Sequence, residues 1–203
     1  MNPTSVPVDT LARRRFLQAG LATLGAAAMA ARADDIGRVR PPLAAPALRL
    51  VGHDARPTTL ANALRQRITV VQLMFTGCSA ICPLQGMQFA SLQAALASRG
   101  MADVQLLSLS IDPLGDDPKA LSTWLRRFGA GPTWRAAAPV PADLDALLGL
   151  LGRNGLPTTA STGDRHSGQL GLFDPEARLV WRTADLPPVN EVMDALRWLR
   201  GPG

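Results

Sequence analysis

Apolar positions along the chain switch between two periods. Residues 68–75, ITVVQLMF, form a nearly continuous β-branched and apolar run, the pattern of a strand covered on both faces. Leu84, Met87, Leu92, Ala95 and Leu96 then recur at helical spacing, and the stretch stops at Arg99-Gly100. Residues 103–112, DVQLLSLSID, predict a second buried strand. Asp117-Pro118 opens a helix that closes on Gly129, and residues 141–155 predict a third helix. QLGLFDPEARLVWRT reads as two short strands joined by a tight turn at Asp174-Pro175-Glu176-Ala177. Val189, Val192, Met193, Leu196 and Leu199 form the apolar stripe of a closing helix. Alternating strands and helices predict an α/β fold, a central mixed sheet with helices on both faces and a late β-hairpin. That order matches a thioredoxin-like fold with insertions.

The first 47 residues do not share this pattern. Residues 1–33 carry an arginine cluster, a weakly apolar run from Phe16 to Ala31 and small residues at A-x-A spacing, which together predict an export signal. Arg13-Arg14 followed by Arg15-Phe16-Leu17-Gln18 resembles the twin-arginine form of such signals; an arginine-rich general secretion signal is the alternative. The run is shorter than the roughly 20 residues that span a bilayer, so cleavage is favoured over anchoring. Residues 34–47 hold three prolines without periodicity and are expected to be a linker, leaving 48–203 as one domain. The protein is therefore expected to work in the periplasm or elsewhere outside the cytoplasm.

Charge changes little once the signal is set aside. The net of +5 comes from 21 basic and 16 acidic side chains, and four arginines and one aspartate of these lie in the first 33 residues. The remainder is nearly balanced. No Lys/Arg stripe interleaved with aromatics follows, which argues against nucleic-acid binding.

The chemistry concentrates at FTGCSAICPLQG, which contains the two cysteines of the chain, Cys78 and Cys82. Cys78 follows the first strand by three residues and Cys82-Pro83 begins the next helix, since proline is tolerated in a first turn. Helix N–H groups there stabilise a thiolate, making it both nucleophile and metal ligand. C-x-x-C is the familiar redox spacing; the extra residue in C-x-x-x-C lets both sulfurs face one ion without preventing a disulfide. Two thiolates suit copper and fall two ligands short of a closed zinc site. Any further ligand must come from elsewhere in the chain. Of the two histidines, His53 reads as a turn residue, while His166 precedes the hairpin in a loop able to reach the cysteine end of the sheet. A structural disulfide is the plain alternative for the cysteines, and a surface histidine bonded to Asp164 the plain alternative for His166. Asp164 as a partner orienting the ring is a further possibility. Met74 and Met87 are expected to pack in the core. Asp112-Pro113 and Asp116-Asp117 read simply as a strand end and a helix start.

In order and separation, FTGCSAICP, LSIDPLGDDPKALSTWLRRFG and DRHSGQLGLFDPEARLVW resemble the three signatures of the SCO/SenC family of thioredoxin-like copper proteins. The resemblance spans about residues 48–200. It implies one copper ion, Cu(I) or Cu(II), held by Cys78, Cys82 and His166, and a metallochaperone role in building the copper A centre of cytochrome c oxidase. The implied partner is an oxidase subunit that accepts copper. Membrane contact is open, through that partner or an uncleaved signal, because many relatives keep a membrane anchor. The alternative is a thiol-disulfide reductase using Cys78 and Cys82 as its redox pair. Such reductases usually carry a cis-proline facing the cysteines, where this chain has Asp164-Arg165-His166-Ser167. A peroxiredoxin-like activity fits poorly, since its threonine lies three positions before the attacking cysteine and Thr76 lies two before Cys78.

Overall fold

The structure, a computed structural model, describes residues 37–151, 168–183 and 185–201. Its strands are β1 (Gly37–Ala44), β2 (Arg49–Gly52), β3 (Pro57–Thr59), β4 (Ile68–Met74), β5 (Val104–Ser110), β6 (Trp134–Pro139), β7 (Leu170–Phe173) and β8 (Arg178–Arg182). The α-helices are α1 (Leu60–Leu64), α2 (Ile81–Ser98), α3 (Pro118–Arg127), α4 (Leu144–Leu151) and α5 (Val189–Arg200). The strands form one sheet in the order β1-β8-β7-β4-β5-β6-β2-β3. β4, β5 and β6 run parallel, and every other neighbouring pair is antiparallel. The mixed sheet and the β7–β8 hairpin follow the sequence pattern.

Every residue of β4 and β5 is buried, yet successive side chains still divide between two layers. Ile68, Val70 and Met74 join Phe89, Leu92 and Leu96 of α2 and Val192, Met193 and Leu196 of α5. Val71 and Leu73 join Leu60 and Leu64 of α1 and Leu147 and Leu151 of α4. Two apolar layers thus close on a central sheet with helices on both faces. Burial also reaches Gln72, whose amide donates to Ser108 Oγ at 2.8 Å; Trp134 Nε1 donates to the same hydroxyl at 3.0 Å.

The expected linker proves to be structured: residues 37–44 form β1, an edge strand antiparallel to β8. Pro41 and Pro42 cannot donate to a ladder, which an outermost strand tolerates, and the register shifts between Arg38 and Leu43. Val39 is buried, and the Arg38 guanidinium lies 4.3 Å over the Trp198 ring. The sheet therefore begins at residue 37, inside the stretch expected to be a linker. The sequence pattern also passed over β2, β3, α1 and β6. The helix expected over 141–155 is a 3-10 turn, Pro141–Asp143, followed by α4, and residues 152–155 lie outside the described residues. So do residues 1–36, which include the expected export signal. Among the described residues, no helix is long and apolar enough to cross a membrane.

Candidate metal and thiol site

β4 ends at Met74, and the chain turns through Phe75–Ala80 into α2, so the cysteines sit at the carboxyl end of a central strand. Cys78 N–H donates to Phe75 O at 3.2 Å, closing this turn. The residue before α2, Ala80, has no side chain able to cap it. The backbone groups of Ala80, Ile81 and Cys82 at this helix start favour the thiolate of Cys78.

The two cysteines are thiols, not joined in a disulfide; Cys78 is half-buried and Cys82 fully buried. Burial pushes the Cys78 thiol up, but hydrogen bonds from the Cys82 side chain and the three backbone groups outweigh it and leave it below its ordinary value. Cys82 moves the opposite way. Burial drives it up, a hydrogen bond with the Phe75 backbone opposes this, and the Cys78 pairing and the charge of Asp116 add to the rise. The pair thus consists of an accessible thiol poised to ionise and a buried one that holds its proton. Because the sulfurs share a hydrogen bond, they are close enough to meet on one ion, and their softness fits copper.

Asp116 is a part of this site that the sequence did not disclose. Only 3% exposed, its carboxylate accepts from Thr76 N at 3.1 and 3.2 Å, from Thr76 Oγ1 at 2.5 Å and from Ser110 Oγ at 2.6 Å. The expectation of a plain helix start suits Asp117 instead, which caps α3 by accepting from Ala120 N at 2.7 Å. Asp116 ties the loop after β5 to the loop that presents Cys78. Its partner Thr76 lies 40 residues away, so local pattern carried no signal.

His166 and Asp164 lie outside the described residues. The chain resumes at Gly168 and enters β7, whose Leu170 pairs with Gln72 two residues from the carboxyl end of β4. His53 occupies the turn after β2, with Nδ1 3.2 Å from Ala136 O. Met74 is buried as expected, whereas Met87 is 53% and Leu84 50% exposed. Gln85 and Gly86 take the inward positions between them. Among the described residues, no three His, Cys, Asp or Glu side chains gather around one point.

The family model described as SCO1/SenC matches residues 41–200. The chain belongs to the SCO1/SenC family. A Stutzerimonas stutzeri relative, whose name describes it as copper-binding, is 31% identical over 139 residues, 67% of each chain. Among solved structures, copper-bound ScoI of Arabidopsis thaliana aligns with a TM-score of 0.59 at 19% identity, covering 76% of this chain and 93% of that one. BsSco, described as a Sco-family cytochrome c oxidase assembly protein with a disulfide switch, aligns at 0.61 and 19% identity, covering 78% and 96%. At these identities the SCO likeness to solved structures establishes the thioredoxin-like fold.

Proposed function

We propose that this SCO1/SenC protein is a copper metallochaperone working outside the cytoplasm, exported by the twin-arginine-like signal in residues 1–33. Cys78, Cys82 and His166 hold one copper ion as cargo for a cytochrome c oxidase subunit that builds a copper A centre. The carrying observation is the pair of thiol sulfurs at the β4–α2 junction, not joined in a disulfide, hydrogen-bonded to each other and with one member accessible. Copper in the Arabidopsis relative and the assembly role of BsSco support the reading. The β7 register also supports it, because β7, which follows His166 in the sequence, enters the sheet from the cysteine end.

Copper titration of the reduced chain tests this reading. One ion per chain is expected. Cys78→Ser, Cys82→Ser and His166→Ala should each weaken binding by more than the roughly 10- to 100-fold that losing a ligand's supporting partner costs. Unchanged affinity in all three defeats the assignment.

The opposite displacements of the two thiols favour disulfide exchange as a second reading. The Cys78 thiolate attacks a partner disulfide and one partner sulfur leaves. The Cys82 thiol then gives up its proton and attacks Cys78, releasing the second partner thiol. Two electrons pass to the partner and leave a Cys78–Cys82 disulfide. Exchange that survives His166→Ala while copper binding is lost would separate this activity from copper transfer.

A further inference from the structure

Beside the cysteine loop, α3 borders a cavity of ≈ 470 Å³ whose walls include Thr76, Asp117, Lys119, Thr123, Trp124 and Arg127. Thr76 lies two residues before Cys78, so an occupant of this cleft is held alongside the thiol turn. The two cations are exposed, and neither has a carboxylate partner among the described residues. Arg127 lies 5.5 Å from the Phe128 ring, a contact that leaves its charge unneutralised. Asp117 is the one acidic residue of the lining, and its Oδ1 accepts from the backbone of Ala120 as the cap of α3. Trp124 is buried, and its Nε1–H has no acceptor among the described residues. The cleft therefore offers the positive charge of Lys119 and Arg127, while its single carboxylate already accepts the capping hydrogen bond through Oδ1.

We propose that this cleft receives an acidic segment of the protein that takes copper from Cys78 and Cys82, with Lys119 and Arg127 pairing with its carboxylates. Charge complementarity of this kind orients an encounter and raises its rate more than its affinity. The inference rests on the copper reading above. In the transfer, copper leaves the sulfurs of Cys78 and Cys82 and the imidazole of His166 and binds two acceptor cysteine sulfurs without changing oxidation state. The acceptor's two thiol protons are released as the donor sulfurs become free to take up protons.

The experiment uses the full chain in two stages. The first loads it with Cu(I); a chain that takes up none overturns the copper reading itself, and this proposal with it. The second follows transfer to two synthetic peptides, each with a Cys-x-x-x-Cys acceptor, one followed by three glutamates and the other by three glutamines. The glutamate peptide should accept copper about tenfold faster at low salt, with the advantage fading as salt screens it. Lys119→Glu with Arg127→Glu should abolish that advantage and leave the glutamine peptide's rate and the copper stoichiometry unchanged. The milder Lys119→Gln with Arg127→Gln should fall between and guards against a folding defect. Equal rates for the two peptides on the wild-type chain, or a glutamate advantage that survives charge reversal in a folded variant, overturn the proposal.

Discussion

Replacing Asp116 by asparagine separates the part it plays in the cysteine loop from simple space-filling, because the two side chains have nearly the same shape. The carboxylate is only 3% exposed and accepts from Thr76 N, Thr76 Oγ1 and Ser110 Oγ. Ser110 Oγ is itself held as an acceptor by Asp112 N–H at 2.9 Å, so its proton is directed at Asp116. Asparagine keeps one acceptor oxygen and turns an NH₂ group toward donors that cannot receive it. Hydrogen bonds to a charged group contribute about 1.5–3 kcal/mol each, and an orphaned buried donor costs about 1–3 kcal/mol. Half-buried Thr76 regains some water. Asp116→Asn should therefore destabilise by about 2 kcal/mol and Asp116→Ala by about 3 kcal/mol. Urea unfolding of the reduced, metal-free chain reads both. The asparagine variant should also bring the Cys82 thiol partway back toward its ordinary range, since the charge that helps hold it up is gone. Stability within about 0.5 kcal/mol of wild type, the usual range for a neutral surface change, would refute the reasoning.

Gly86 lies in α2, where an added Cβ would come within 2.5 Å of the Phe128 ring. Gly86→Ala should cost about 1–3 kcal/mol through overpacking and be largely rescued by Phe128→Leu, as thermal unfolding of the single and double variants will show. Cys82 gives a pH prediction. The folded chain holds a proton that the unfolded chain releases above the ordinary value of 9.0, so this thiol's stabilising contribution falls as pH rises past that value. The slope is at most about 1.4 kcal/mol per unit. Cys78 acts in the opposite sense: its depressed value contributes stability that is present above the ordinary thiol range and lost as pH falls through its folded value. Cys82→Ala should remove the alkaline loss in unfolding of the reduced, metal-free chain, and an unchanged slope in that variant would contradict the assignment.

How far the sequence could be read follows from what each element depends on. β4 and β5 were legible because a strand covered on both faces must be apolar throughout. The alanines of β6 have neither periodicity nor β-branching, and they become strand by lying between β5 and β2. β1 was hidden by its prolines, which read as linker residues unless the strand's edge position is known. Cys78 and Cys82 were legible from their spacing and their place at a strand-to-helix junction. Asp116 depends on two loops meeting, which spacing cannot express. The first turns of α2 misled the pattern outright: Leu84 and Met87 face outward while Gln85 and Gly86 are buried. Deeper in the same helix, Phe89, Leu92 and Leu96 face the core as apolar residues should. The departure is thus confined to the end of the helix that carries the cysteines. Local rules break most readily where a chain holds a reactive site in place, so the misplaced leucine and methionine mark the same end of α2 as the cysteine motif does.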